Sequence, residues 1–294
     1  MKRVALSIGC SVWRSLATFA IASWIASVAA AAEPIIDANV VYGKTSDEEL
    51  KLDLIKPVGD YKNAAALVLI HGGGWQGGDK RDFLAFGREA AKRGYVCVTI
   101  NYRHAPKHCF PAQVEDAKCA VRWLRAKAEE LKIDPTRIGA VGGSAGAHLA
   151  MMLGVMDPPD GLEGDGGSRD QSSKVRAVVA FFGPTNLLAE YPSLSKEIVK
   201  TFIGGTKEEK EEVYRRASPI TYVNAGDAAM LLYQGTRDFL VPYEQATEMA
   251  TAMSKAGVPG RVELLLNANH GWGGKELERT VREGLNFLDA RLKP

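Results

Sequence analysis

The sequence has little cysteine, no marked excess of either charge and no internal repeat. Four cysteines in 294 residues are too few for a disulfide scaffold, and their spacing matches no zinc site. A formal net charge of +2, from 37 basic and 35 acidic side chains, creates no field that would draw nucleic acid or an anionic membrane. Without a repeat, solenoids and propellers are excluded. What is left is an ordinary globular composition, 46% hydrophobic and 24% charged.

An apolar run of membrane-spanning length is also missing. The stretch Leu16 to Val28 is apolar over about 13 residues, against the ~20 that a spanning helix needs. Lys2, Arg3 and Arg14 are the only charges before Glu33, and Ala30 and Ala32 stand where an Ala-x-Ala cleavage site would. A positive start, a short apolar core and a small-residue exit are the layout of a secretory signal peptide. The expectation is a signal peptide over 1–32 and a secreted or periplasmic chain over 33–294, with no membrane span and a net charge near −1. Cys10 has too little apolar sequence before it to serve as a lipoprotein cysteine. Of the other three, Cys97 lies in the apolar run Tyr95 to Ile100 and reads as inert core. Cys109 and Cys119 could either bridge or stay free.

Short apolar, β-branched runs alternate with helical patterns. Ala65–Ile70, Tyr95–Ile100, Arg137–Gly142, Val175–Phe182, Ala229–Tyr233 and Val262–Leu266 read as strands buried on both faces. Helical spacing falls on Asp82–Arg93, Gln113–Leu131, Ala145–Met152, Tyr243–Ala256 and Lys275–Leu292. Val40–Tyr42 and Leu50–Ile55 look like an opening antiparallel pair. This alternation predicts a single α/β domain with a mostly parallel sheet and helices on both faces. Asp157 to Ser173, rich in Gly, Asp, Ser and Pro, reads as a surface loop without the spacing of a calcium loop. Residues 184–223, with helical pieces of their own, read as a cap-like insertion over the C-terminal edge of the sheet.

Gly142-Gly143-Ser144-Ala145-Gly146 is a G-x-S-x-G match between a strand and a helix of small residues. A serine on that turn presents its hydroxyl above the sheet edge, and its small flanking residues permit the tight backbone approach. The helix N-terminus behind it offers N–H groups and positive dipole to a developing oxyanion. His71-Gly72-Gly73-Gly74-Trp75 follows another strand. Three successive glycines cost backbone entropy, and exposed N–H groups aimed at one point would repay it. No Lys-Ser/Thr follows, so a phosphate-cradling loop is excluded.

A serine nucleophile needs a base, and the base needs an acid to orient it. Of five histidines, His71 reads as a structural support of the glycine loop. His148, on the nucleophile helix, reads as packing, and His104 and His108 flank a proline in a loop. His270, in Asn267-Ala-Asn-His-Gly-Trp after the last strand, stands where such a fold presents its base. Asp238, just past Ala229–Tyr233, is the candidate acid. Asp227 precedes that strand and Glu263 lies within the next one. The chain order Ser, acid, His is then that of an α/β-hydrolase.

With these residues the chain resembles α/β-hydrolase esterases of the hormone-sensitive-lipase-like group, and most of all bacterial acetyl xylan and feruloyl esterases. The matching stretches run from His71–Trp75 through Tyr102-Arg103, Phe110-Pro111-Ala112, Asp116, Gly143–His148, Glu163–Gly167, Phe182–Thr185 and Ala217–Ile220 to Asp238, Val241-Pro242 and His270-Gly271. The resemblance implies a Ser144, Asp238 and His270 triad. It implies an oxyanion hole from Gly73, Gly74 and the N–H of Ala145, with the choice of glycines open by one position. Trp75, Phe182 and Tyr191 become candidates to line the substrate pocket, Trp75 as a substrate-binding residue. Two departures stand out: Gln234 where relatives have histidine, and Ala147 where they have glycine. Neither is expected to touch the triad.

The expected function is a secreted serine carboxylesterase that cleaves short acyl esters, of acetyl xylan or feruloyl type, through an acyl-enzyme. Its partner would be a small-molecule or polysaccharide ester, with no cofactor and no metal. An arylformamidase-like amide hydrolase shares the glycine loop and tryptophan but works inside cells. A general lipase or esterase needs a large apolar surface, and the 184–223 segment, with Lys196, Lys200, Lys207, Lys210, Glu211 and Glu212, is too charged to offer one. A non-catalytic binding module would have no use for an intact triad and glycine loop.

Overall fold

The computed structural model describes residues 33–293; the expected signal peptide, 1–32, lies outside them. Eight strands form one sheet: β1 (Ile35–Lys44), β2 (Glu49–Lys56), β3 (Ala64–Ile70), β4 (Val96–Ile100), β5 (Ile133–Gly143), β6 (Ala177–Phe181), β7 (Ala229–Gly235) and β8 (Gly260–Leu265), in the order β1-β2-β4-β3-β5-β6-β7-β8. β1 and β2 pair antiparallel, β2 meets β4 antiparallel, and all contacts from β4 through β8 are parallel. This is the doubly covered sheet of the α/β-hydrolase fold.

Among the described residues five helices pack on it, α1 (Leu84–Lys92), α2 (Ala112–Ala126), α3 (Ala145–Val155), α6 (Glu244–Ala256) and α7 (Gly274–Leu292), while α4 (Ser193–Ile203) and α5 (Lys207–Arg216) lie in the 184–223 segment and pack on each other. Side chains of a strand alternate between faces, and the core divides accordingly. Ala66, Val68 and Ile70 of β3 join Val121 and Leu124 of α2, Met152 of α3 and Met249 of α6. Leu67 and Leu69 face the other way, against Phe86 and Ala90 of α1 and Leu285 and Leu288 of α7. A strand so enclosed must be apolar at every position, which is why its sequence shows a run and not an alternation.

Several boundaries differ from the sequence reading, among them those of α1 and α2. α2 ends at Ala126 and not at Leu131, because the chain turns back through Lys132 at φ 52 to enter β5. Ala128 keeps its helical spacing yet packs on the core from this turn. The first helix is preceded by a 3-10 turn, Lys80–Phe83, capped by the Asp79 carboxylate on the Arg81 N–H.

The 157–173 loop is fastened by charge. Glu163 takes Lys118 Nζ at 2.8 Å and Arg122 Nη1 at 2.9 Å, and both basic side chains are 1% exposed. Burial works to raise the Glu163 carboxyl, but the hydrogen bond and charge of Lys118, with Ser173 and Arg122, outweigh it and hold it below its ordinary value. Glu163→Gln leaves two buried cations uncompensated, so urea unfolding is expected to show a loss of about 3 kcal/mol at pH 7. A depressed carboxyl contributes fully above its ordinary value of 4.5 and loses that contribution as pH falls through its folded value. The gap between variant and parent should therefore narrow in acid.

All three described cysteines, Cys97, Cys109 and Cys119, are free thiols. The bridge left open by the sequence is not formed. Cys119 is buried with its thiol toward the Tyr42 carbonyl, while Cys109 lies against the carbonyl of Thr201 in α4.

Candidate active site

The parallel strands end level with one another. Ile70 pairs with Gly142, Gly143 with Phe181, Phe181 with Tyr233 and Gly235 with Leu265. The loops leaving β3, β5, β7 and β8 therefore open on one edge, the carboxyl edge at which such sheets place ligands.

Ser144 stands between β5 and α3 at φ 54, ψ −121, a left-handed conformation that costs a β-carbon residue about 1–3 kcal/mol. Close packing imposes it. A β-carbon on Gly142 would lie 2.2 Å from the Gly146 carbonyl oxygen, and one on Gly146 would lie 2.1 Å from that of Ile70. The two outer glycines of the motif are thus required by backbone contact alone. The Ser144 N–H donates to the Phe181 carbonyl at 2.8 Å, which anchors the turn to β6.

From this turn a hydrogen-bonded chain runs through three loops. Ser144 Oγ lies 2.9 Å from His270 Nε2, and His270 Nδ1 lies 2.8 Å from Asp238 Oδ2. A carboxylate only accepts, so Nδ1 carries the proton and the free Nε2 lone pair faces the serine hydroxyl. The Asp238 side chain is 0% exposed. Its Oδ1 accepts the N–H groups of Leu240 and Val241, each at 2.9 Å. Phe182 sets an edge against the His270 ring, centroids 4.8 Å apart.

The other histidines have different tasks. His148 is fully buried, accepts from Trp75 Nε1 at 3.3 Å and donates Nε2–H to the Ala217 carbonyl at 2.7 Å. Burial lowers it to about 4, so it is a neutral packing group. His71 donates Nδ1–H to the Gly72 carbonyl at 2.8 Å and stacks on Tyr102, whose hydroxyl also donates to that carbonyl. His104 lies edge-on to both rings, and His108 meets Asp47 and Glu48 beside Lys107.

The glycine loop takes its aim from these bonds. In a trans peptide the C=O and the following N–H point in opposite directions. The Gly72 carbonyl faces His71 and Tyr102, so the Gly73 N–H faces away from them. The Gly73 carbonyl accepts from Gln76 and Gly77 at 3.0 and 3.1 Å, which turns the Gly74 N–H outward in the same manner. Neither N–H has an acceptor among the described residues. With Ala145 and Ser144 these glycines line a cavity of about 1120 Å³.

Phe83, Phe86, Phe182 and Trp272 wall this cavity between α1 and α7. Opposite them, the 184–223 segment contributes Tyr191, Ile198 and Val199 from above. It is held there by Gln76 Nε2 on the Ile198 carbonyl at 3.3 Å and by Ser195 Oγ on that of Leu240 at 2.7 Å. Trp75 borders the cavity but is only 3% exposed, stacked on Phe202 at 4.1 Å with its N–H taken by His148. It offers a wall and no free polar contact. Tyr191 is similarly committed, its hydroxyl on Gln245 and Asn186.

One expectation is corrected. Gln234 does touch the triad: its Nε2 donates to Asp238 Oδ2 at 2.8 Å. Residues an even number apart on a strand share a face, but Asp238, four past Gln234, lies beyond the end of β7, where the chain folds back over it. No sequence period reports that return. Phe83 was likewise missed, and its position in a polar 3-10 turn carried no signal. Trp272, two places past His270, was open to notice.

Comparison with known proteins places the chain among esterases. The chain spans only 43% to 58% of the length of three curated mycobacterial relatives. Among them, Esterase LipC of Mycobacterium tuberculosis is 33% identical over 225 residues, 72% of this chain and 54% of that protein. A thermophilic esterase of Thermogutta terrifontis, solved with propionate bound, has a TM-score of 0.74 and 30% identity, covering 87% of this chain and 95% of that one. A truncated carbohydrate esterase from gut microbiota shares the fold, with a TM-score of 0.80 at 24% identity over 89% of this chain and 98% of that one. The BD-FAE family profile matches residues 52–253. The chain therefore belongs to the BD-FAE family, within the α/β-hydrolase esterases.

Proposed function

We propose that this protein is an exported serine carboxylesterase that hydrolyses short acyl esters of carbohydrate, of acetyl xylan or feruloyl type. The observation that carries the reading is the chain Asp238–His270–Ser144, at 2.8 and 2.9 Å, at the floor of an apolar cavity. Ser144 attacks the ester carbonyl as His270 takes its proton. The N–H groups of Gly73, Gly74 and Ala145 hold the oxyanion. His270 then protonates the leaving alcohol, and water releases the acyl group by the reverse path. Asp238 keeps the imidazole in the tautomer that presents Nε2 to the serine.

The propionate and butyrate complexes of the Thermogutta terrifontis esterase support a short acyl group. The aromatic wall of Phe83, Phe182 and Trp272 supports room for an aryl acid as well. Export is proposed from residues 1–32 and suits a polymeric substrate. Among the described residues no helix is long and apolar enough to cross a membrane.

A panel of acetyl, butyryl and octanoyl p-nitrophenyl esters, acetylated xylan, methyl ferulate and N-formylkynurenine tests the proposal. The expected ranking puts acetyl and butyryl esters with acetylated xylan or methyl ferulate at the top. Preference for octanoyl esters would favour a general lipase, and preference for N-formylkynurenine an arylformamidase.

A further inference from the structure

Gln234 is 1% exposed at the end of β7, and both of its amide donors are occupied. Nε2 donates to Asp238 Oδ2 at 2.8 Å and to the Val241 carbonyl at 2.9 Å, while Oε1 is buried without a partner among the described residues. The two acceptors dictate this orientation, since only the NH2 end of an amide offers two donors. The orphaned Oε1 is a desolvation cost that a purely apolar side chain would not incur.

One of the two Nε2 contacts acts on the Asp238 carboxylate directly and the other on the loop that carries its second oxygen's donors. Asp238 Oδ1 is held by the N–H groups of Leu240 and Val241, and Oδ2 is shared by His270 Nδ1–H and Gln234. Rotation of an aspartate carboxyl about its last torsion is soft. Bonds on Oδ1 alone locate one oxygen, and a donor on Oδ2 other than His270 then fixes the plane of the group before the imidazole arrives. Through the Val241 carbonyl, Gln234 also ties to β7 the very loop whose N–H groups hold Oδ1. Catalytic groups need angular control within about 10–20°, and this amide supplies it.

We infer that Gln234 is a positioning residue, which sets the Asp238 carboxylate in line with the His270 imidazole while bringing no charge or titrating proton of its own. The inference rests on the serine-hydrolase reading of Ser144, His270 and Asp238.

The test replaces Gln234 by methionine, which keeps length and fills the space but donates nothing, and by histidine, which returns one ring N–H toward Oδ2. Loss of a hydrogen bond to a charged acceptor corresponds to about a ten- to hundredfold fall in kcat for Gln234→Met on p-nitrophenyl acetate. KM should stay within about twofold, since the contact touches no substrate. Gln234→His should regain part of the loss. The downfield proton resonance of His270 Nδ1–H, assigned by its disappearance in His270→Ala, should shift or broaden in Gln234→Met. If kcat and that resonance both match the parent while only Tm falls, Gln234 merely packs and the inference is overturned. Should the methionine variant not fold, Gln234→Leu removes the donor with no charge and little change in size, and the same two readouts decide. A parent protein that shows the resonance but takes no fluorophosphonate and cleaves no ester would remove the hydrolase reading, leaving the resonance to decide on Gln234.

Discussion

Ser144→Ala is expected to lower kcat on a short p-nitrophenyl ester by about a million-fold, the scale seen when a serine hydrolase loses its nucleophile. The same variant should take no label from a fluorophosphonate. The size of the effect follows from the geometry. His270 Nε2 has Ser144 Oγ at 2.9 Å as its partner, so without the hydroxyl no covalent path remains and only the N–H groups of the glycine loop still favour the transition state. His270→Ala alone should cost about as much, and the double variant little more, because the two groups act as one unit. Folding should be unharmed by Ser144→Ala. The turn is held by the Ser144 N–H on the Phe181 carbonyl and by the close approach of Gly146 to Ile70, neither of which uses the hydroxyl. Hydrolysis at the parent rate by a folded Ser144→Ala protein would remove the proposed mechanism.

Asp238→Asn is the second large effect, with an expected fall in kcat of about 10⁴-fold. Four donors converge on this side chain: two backbone N–H groups on Oδ1, and His270 and Gln234 on Oδ2. A carboxylate can accept from all four, whereas the NH2 of asparagine must face one of these pairs. Turned toward Leu240 and Val241, it opposes their N–H groups and loosens the acid loop. Turned toward His270, it opposes Gln234 and drives the imidazole into the tautomer with its proton on Nε2, where it cannot take one from Ser144. Both arrangements leave buried donors unpaired, so a drop in Tm should accompany the loss of activity, corresponding to about 1–3 kcal/mol. Loss of activity with KM nearly unchanged, measured on the same ester, is the expected signature of a group that acts through His270.

Much of this was legible from residue order, for reasons that are local. A strand enclosed on both faces shows as an apolar run, so β3 and β7 were recognisable without neighbours as Ala65–Ile70 and Ala229–Tyr233. Gly142 and Gly146 are demanded by contacts of their own turn and the strand beside it. A turn that sharp can be read from spacing. Ser144, Asp238 and His270 each follow a strand end, and a parallel sheet brings all strand ends to one edge, so topology alone assembled them.

Ser144 as a candidate nucleophile, the α/β alternation and the loops that would flank the site were thus determined by the sequence itself. The tertiary structure decided what depends on contacts between distant segments. It committed the Trp75 indole to Phe202 and His148, kept Cys109 and Cys119 apart, and folded the acid loop back so that Gln234 reaches Asp238. It also turned the N–H groups of Gly73 and Gly74 free by giving the preceding carbonyls to His71, Tyr102, Gln76 and Gly77. The difference is physical. Periodicity and turn chemistry are properties of a few adjacent residues, whereas a hydrogen bond between buried groups exists only once the chain between them has been packed.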